Sequence, residues 1–315
     1  MSSGDHRPAR IWLPPGAPAD LVAAVAAGGG ELASAEDANA LVLYGLGHPS
    51  AAQAPAVRAL LSDAIEWVQL PAAGVEAFFE HGLLDGARVW TSAAGAYAAT
   101  VAEHIVALLL ASARRLPECA RSSTWRKPEL EGVPLAGSTV GIVGAGAIGH
   151  ETIRRLEPFG VRVIALTRSG GAVPGAERAL APDGLDELLA ESDYVVLCPP
   201  LTADTQGMIG ARELALIGPR GVLVNVGRGA LVDTAALVAA LRDGGLGGAF
   251  LDVTVPEPLP DGHPLWSAPR VLITPHTANP RAALEAALVR RVEQNVARFR
   301  AGEPLLGVID VVAGY

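Results

Sequence analysis

Thr139-Val-Gly-Ile-Val143 runs directly into Gly144-Ala145-Gly146-Ala147-Ile148-Gly149, and helix-compatible residues follow through Leu156. A short β-branched run, a glycine-rich turn and a helix in that order predict the first βα unit of a doubly wound sheet. Each glycine has a physical task in such a unit. Gly144 permits the tight turn, Gly146 lets the backbone approach a diphosphate, and Gly149 lets helix and strand close together. The N–H groups at the start of the helix then face the anionic charge. A lone GxGxxG in a chain with 36 glycines is a weak signal. The strand before it, the helix after it and a second strand at Arg162–Leu166 give it weight. The expectation is a dinucleotide site formed by Gly144, Ala145, Gly146, Ala147, Ile148 and Gly149.

The end of the second strand bears on which dinucleotide is held. NAD-preferring sheets place an Asp or Glu there to grip the ribose hydroxyls. This chain has Ala165-Leu166-Thr167-Arg168-Ser169, with no carboxylate. Arg168 can pair with a 2′-phosphate, and Thr167 and Ser169 can donate hydrogen bonds to it. NADP(H) is therefore the expected preference, with NAD(H) possible.

The βα rhythm continues outward from this unit. Tyr194–Cys198, Val222–Val226, Ala249–Val253 and Val271–Thr274 complete a set of apolar strands separated by helical or loop segments, as in a sheet buried on both faces. Upstream, Ala9–Leu13, Ala40–Tyr44, Ile65–Leu70 and Arg88–Thr91 alternate with Ala-rich helical stretches and suggest a second, smaller parallel α/β sheet. Between the two, residues 97–116 read as one long helix, with Pro117 as its stop. Arg281–Arg300 reads as a polar/apolar helix followed by a short apolar tail.

Composition bounds the rest. A chain of 315 residues exceeds one typical domain, and 50% hydrophobic content suffices for sizeable cores. A formal net charge of −9 argues against nucleic acid as a partner, which requires a basic face. Apolar stretches such as Ile105 to Ala111 fall short of the roughly 20 residues of a membrane span, so no membrane association is expected. Met1 to Arg10 has no apolar core of a signal peptide, and two cysteines, Cys119 and Cys198, do not make a disulfide scaffold. A cytoplasmic location follows as an expectation. Lys127, the single lysine, lies in polar Trp125-Arg-Lys-Pro-Glu129, which reads as a loop, so Schiff-base and P-loop chemistry are set aside.

The last three strands end in polar segments: Asn225-Val-Gly-Arg228-Gly229, Asp252-Val-Thr-Val-Pro-Glu257, and Thr274-Pro-His276-Thr277. In an open α/β sheet, ligands bind outside the carboxyl ends of the strands. An arginine, a carboxylate and a histidine converging there suit a small carboxylic acid.

At this point the chain resembles the D-isomer-specific 2-hydroxyacid dehydrogenases. The resemblance covers nearly the whole sequence. It rests on Ala72-Ala73-Gly74-Val75, Val101-Ala-Glu-His104, the glycine turn, Pro200-Leu-Thr202, Asn225 to Asp233, Asp252 to Pro260, His263-Pro-Leu-Trp266 and Thr274 to Ala278. It implies a doubly wound Rossmann cofactor domain over residues 97–285. A smaller flavodoxin-like α/β substrate domain would take residues 1–96 and 286–315, with a cleft between the two. It also implies cofactor contacts at Pro200, Thr205, Val226, Gly227, Asp252 and Thr277, no metal, and a homodimer formed through helix 97–116 and the segment Leu116–Leu135.

Roles can be assigned on chemical grounds. Arg228 presents a planar fork to the substrate carboxylate and so aims the keto carbon at the nicotinamide. His276 supplies the proton as negative charge grows on the keto oxygen, and Glu257 orients the ring and favours imidazolium. The N–H groups of Ala73 and Gly74 complete carboxylate binding. Asp252 either hydrogen-bonds the nicotinamide amide or caps a turn. Tyr97 either contacts substrate or packs at a helix start, and His104 reads as a hydrogen-bonded packing residue.

The expected activity is therefore hydride transfer between NAD(P) and a small 2-oxo or D-2-hydroxy acid of the glyoxylate/hydroxypyruvate type. Two other readings stay open. Formate- and phosphite-type dehydrogenases share the fold, but the former carry an amide where Glu257 stands and the latter a lysine near residues 69–71. A dinucleotide-sensing corepressor shares the fold as well, although no low-complexity or basic tail is appended here.

Overall fold

The computed structural model describes residues 7–47, 49–125 and 129–314; Lys127 and the first six residues lie outside them. The chain divides into two compact units, Met1–Tyr97 with Arg281–Tyr315, and Ala98–Pro280. The division falls at 97/98 and 280/281 rather than at the expected 96/97 and 285/286. Tyr97 goes with the first unit because its hydroxyl donates to Pro71 O at 2.9 Å. Residues 281–285 cannot be cut away, since they form the first turns of one continuous helix, Arg281–Ala301.

The first unit is a parallel sheet of β1 (Arg10–Trp12), β2 (Glu31–Leu32), β3 (Ala40–Val42), β4 (Trp67–Gln69) and β5 (Val89–Thr91). Its order, β2-β1-β3-β4-β5, is that of a flavodoxin-like sheet. Helices α1 (Ala19–Ala27), α2 (Ala54–Leu60) and α3 (Glu76–Glu80) connect the strands. Fully buried Trp67, Trp90, Phe78, Leu41 and Leu43 fill the interior. The C-terminal helix returns to this unit, packing Leu288, Val292, Val296 and Phe299 against Ile11, Leu21 and Trp67.

The second unit opens with α4 (Ala98–Ala113) and α5 (Leu116–Arg121). Residues 97–116 are thus not one uninterrupted helix. Arg115 takes a left-handed backbone at φ 52° that ends the first segment, and Pro117 sits in the opening turn of the next helix instead of stopping the previous one. Seven parallel strands follow: β6 (Thr139–Val143), β7 (Arg162–Leu166), β8 (Arg178–Leu180), β9 (Tyr194–Leu197), β10 (Val222–Asn225), β11 (Gly248–Leu251) and β12 (Val271–Ile273). Their order is β12-β11-β10-β9-β6-β7-β8, the doubly wound arrangement expected from the glycine turn. Strands β6, β9, β10 and β11 are buried at every position, which explains their predominantly apolar composition.

The crossover helices of this sheet are α6 (Ala147–Leu156), α7 (Leu185–Glu191), α8 (Ala211–Ile217) and α9 (Thr234–Arg242), and the C-terminal helix of the first unit is α10 (Arg281–Ala301). Asp233 caps α9, its carboxylate accepting from the N–H groups of Ala235 and Ala236 at 2.9 and 3.0 Å. Among the described residues no helix is long and apolar enough to cross a membrane.

Candidate active site

The order of the large sheet reverses between β6 and β9, so the loops that leave these strands diverge to opposite faces and open a crevice at their carboxyl ends. The glycine turn occupies this point. Gly144 has φ +90°, and a Cβ there would stand 2.6 Å from Pro199 N, so only glycine fits between the two strand ends. The Cys198 thiol donates to Gly144 O at 3.1 Å, and burial pushes its pKa up to about 12, which keeps it a neutral donor. At Gly146 an added Cβ would meet nothing within 4 Å, which leaves room for a ligand to approach the backbone. The first turn of α6 closes with His150 N–H on Gly146 O at 2.9 Å. The N–H groups of Ala147, Ile148 and Gly149 precede that bond, so they are the orphan donors of a helix N-terminus.

At the end of β7, one strand over, the Thr167 hydroxyl is buried and has no hydrogen-bond partner. An unsatisfied buried hydroxyl costs about 1–3 kcal/mol, and a ribose or phosphate oxygen would satisfy it. Exposed Arg168 and Ser169 follow it, and no carboxylate stands at this strand end. These residues fit a dinucleotide carrying a 2′-phosphate. Thr205 is committed to its own turn. Its hydroxyl donates to Pro200 O at 2.7 Å and accepts from Thr202 N–H at 2.8 Å. Thr205 therefore shapes the segment beside Pro200.

Strands β10, β11 and β12 lie side by side, and Asn225, Leu251 and Ile273 are in register at their ends. The polar segments singled out in the sequence leave the sheet from that common edge. Asn225, whose part the sequence gives no means of reading, clamps the first of them. Its Oδ1 accepts from Gly227 N–H at 3.1 Å and its Nδ2 donates to Arg228 O at 2.9 Å. Val226 and Gly227 are thereby fixed in the interior, and the Arg228 guanidinium donates to Gly227 O at 2.8 Å. The next glycine permits this path. A Cβ on Gly229 would overlap the carbonyl of Thr254, a backbone atom that cannot step aside cheaply. Gly229→Ala is expected to lower unfolding stability by about 1–3 kcal/mol, the range for forced overpacking, which chemical denaturation would measure; an unchanged midpoint would contradict the contact.

Asp252 is 2% exposed and organises the third segment. Its carboxylate accepts from Thr277 N–H at 2.9 Å, from Ala278 N–H at 3.1 Å and from the Thr274 hydroxyl at 2.6 Å. His104 Nε2 lies 2.9 Å from that same hydroxyl. Because the hydroxyl proton goes to Asp252, His104 must be the donor, which places a proton on its Nε2. Asp252 thus caps this turn.

His276 stands inside the turn with φ 52°, a left-handed backbone that few non-glycine residues adopt. Its N–H donates to Asp252 O at 2.9 Å, and the flanking N–H groups on the Asp252 carboxylate hold the strained path in place. The imidazole is exposed, and its Nδ1 lies 2.6 Å from Glu257 Oε1. A carboxylate only accepts, so Nδ1 donates and Nε2 is the ring nitrogen left to exchange a proton with a ligand.

In the smaller unit, Ala72, Ala73 and Gly74 leave the carboxyl end of β4. The N–H groups of Ala73 and Gly74 have no acceptor among the described residues. Tyr97 is 8% exposed, with its hydroxyl on Pro71 O and its pKa pushed up to about 12 by burial. It therefore braces this loop as a neutral donor.

Residues 106–278 match the NAD binding domain of the D-isomer specific 2-hydroxyacid dehydrogenases. The chain is 42% identical to an uncharacterised protein of the proB 3′ region of Corynebacterium melassecola over 81% of this chain and 85% of the other. It is 40% identical to a glyoxylate reductase of Thermococcus gammatolerans, over 62% of this chain and 61% of that one. Among solved structures it is similar to the NADPH-dependent glyoxylate/hydroxypyruvate reductase of Sinorhizobium meliloti in complex with NADP and sulfate. That pair shares 28% identity with a TM-score of 0.80, covering 98% of this chain and 100% of the other. With a glycine turn at the switch point of a doubly wound sheet and a histidine–glutamate pair at its edge, the chain belongs to the D-isomer specific 2-hydroxyacid dehydrogenase family.

Proposed function

We propose that the chain reduces a small 2-oxo acid of the glyoxylate or hydroxypyruvate type to its D-2-hydroxy acid, with His276 as the proton donor. The observation that carries this reading is the 2.6 Å contact between His276 Nδ1 and Glu257 Oε1, which leaves Nε2 as the proton-exchanging atom. When bound, the nicotinamide supplies the hydride. Arg228 receives the substrate carboxylate on its planar fork, and the Ala73 and Gly74 N–H groups are the carboxylate donors that the smaller unit offers. Alignment of the carboxylate fixes the direction of the keto group. The His276 Nε2 proton then passes to the keto oxygen as that oxygen becomes alkoxide, while Glu257 retains Nδ1–H and holds the ring in line. Formate oxidation requires no such donor, which is why the acid partner of His276 favours a keto-acid substrate.

Absorbance of NADPH and NADH followed against a panel of 2-oxo acids, with formate and phosphite in the oxidative direction, tests the reading. Turnover of glyoxylate or hydroxypyruvate is the expected result. Nucleotide binding without turnover of any keto acid overturns it in favour of a sensor.

NADPH is the proposed cofactor, supported by Thr167, Arg168 and Ser169 at the end of β7. Arg168→Ala is expected to lower kcat/KM with NADPH by about 10- to 100-fold, the range of a charge-assisted bond to phosphate, with a much smaller effect on NADH. A higher kcat/KM for NADH in the unaltered protein contradicts the assignment. Exposed Leu116 (52%), Trp125 (96%) and Val133 (58%) support the proposal of a homodimer through this segment. Sedimentation showing only a 32.2 kDa species would reject it.

A further inference from the structure

The smaller unit contains a buried cation, Arg291, that has no anion within ion-pair distance among the described residues. Arg291 of α10 is 8% exposed, and its Nη1 and Nη2 donate to Ser92 O and Ala94 O at 2.8 and 2.9 Å. Its seat is built for it. Gly307 has φ +71°, and a Cβ there would overlap both the guanidinium and Ser92 O. Among the described residues no carboxylate stands within ion-pair distance of Arg291. The neighbouring ionisable group is Tyr97, which burial keeps neutral. A buried charge without a counter-ion is costly, and a fold that only needed to tie α10 to the loop after β5 could do so with a neutral donor, as Asn295 does for β4 through Gln69 Oε1 at 2.9 Å.

The hydrogen bonds beyond the guanidinium show where its field leads. Ser92 C=O shares a peptide group with Ala93 N–H, which donates to Ala72 O at 3.0 Å. Ala72 C=O in turn shares a peptide group with Ala73 N–H. A cation at the oxygen end of a peptide dipole makes its hydrogen end more positive, and bonds in series polarise one another in the same sense. The series ends at Ala73 N–H, on an exposed residue, for which there is no acceptor among the described residues. The Tyr97 hydroxyl on Pro71 O braces the same loop one peptide earlier.

We infer that Arg291 is a positioning residue that acts through the Ser92–Ala93 and Ala72–Ala73 peptide groups to strengthen the Ala73 N–H as a donor to the substrate carboxylate, which serves as the counter-ion that no described residue supplies. This rests on the proposed keto-acid chemistry only in naming the anion. The Arg291 guanidinium is spent on the carbonyls of Ser92 and Ala94, so its effect is on anion affinity.

The test compares the unaltered enzyme with Arg291→Gln and Arg291→Lys. Quenching of bound NADPH fluorescence gives the Kd of oxamate, an uncharged oxamide control shows the part that depends on charge, and steady-state kinetics give KM and kcat for glyoxylate. Arg291→Gln should weaken oxamate by about tenfold, the scale of losing a charge-assisted contribution, with NADPH Kd and oxamide binding unchanged. KM should rise far more than kcat falls, and Arg291→Lys should recover part of the loss. Oxamate affinity unchanged in Arg291→Gln overturns the inference, as does equal weakening of oxamate and oxamide. If Arg291→Gln does not fold, Arg291→Lys carries the comparison: it keeps the charge, so oxamate binding weakened as much as oxamide binding marks a purely mechanical tie. Failure of the unaltered protein to reduce any keto acid would defeat the proposed function while the oxamate comparison still reads Arg291.

Discussion

Replacing His276 by alanine is expected to lower kcat by about two to four orders of magnitude, the contribution of a positioned proton donor, with a much smaller change in KM. The ring has one nitrogen committed to Glu257 at 2.6 Å, so removal of the side chain deletes the only atom of the pair that can deliver a proton to substrate. The backbone around it is built to keep that atom in place. Its φ of 52° is held by the N–H bond to Asp252 O and by neighbouring N–H groups on the Asp252 carboxylate. Glu257→Gln should cost less than His276→Ala, because an amide oxygen still accepts from Nδ1 but contributes no charge. The double variant should be no slower than His276→Ala alone, since residues that act as a unit are not additive. Steady-state kinetics at saturating NADPH measure all three. A His276→Ala enzyme within tenfold of the unaltered kcat removes His276 from proton transfer.

How far the sequence exposes this architecture depends on the distance over which each residue finds its partner. The glycine turn and the buried strands are legible because their determinants are local: β6 is buried at all five positions, with Val140, Ile142 and Val143 marking it as apolar, and the turn follows it at once. Strands β2 and β8 escape notice because they are two and three residues long and lie at the sheet edges, exposed or half-buried, with no apolar run to mark them. The end of α4 is set by the left-handed Arg115, a conformation that no residue type at that position announces. The polar strand ends draw attention to Arg228, Glu257 and His276, whereas their supports do not stand out. His104 reads as a hydrogen-bonded packing residue on an apolar helix, but its partner, Thr274, lies 170 positions away. Arg291 is one of several arginines in the polar/apolar helix Arg281–Arg300 and is not singled out there, yet it is buried on carbonyls 199 and 197 positions distant. Such partners become visible only once the chain is folded.

Arg228→Ala is expected to reduce kcat/KM by about two to three orders of magnitude, or about 3–4 kcal/mol of transition-state stabilisation. Both KM and kcat should suffer, because in the proposed reaction the same fork binds the carboxylate and aims the keto carbon. The loop beneath it explains why lysine should restore little. Asn225 clamps the Gly227 N–H and the Arg228 C=O, and one guanidinium nitrogen is spent on Gly227 O at 2.8 Å, so the direction of the planar group is fixed by its own backbone. An ammonium offers a point charge without that plane and cannot reproduce both the orientation and a two-point contact. Asn225→Ala, which leaves the guanidinium but frees the loop, should shift kcat and KM in the same direction by a smaller factor. Near-normal KM and kcat in Arg228→Ala take the residue out of the site. A raised KM with unaltered kcat restricts it to uniform binding of substrate and transition state, and the aiming role is then lost.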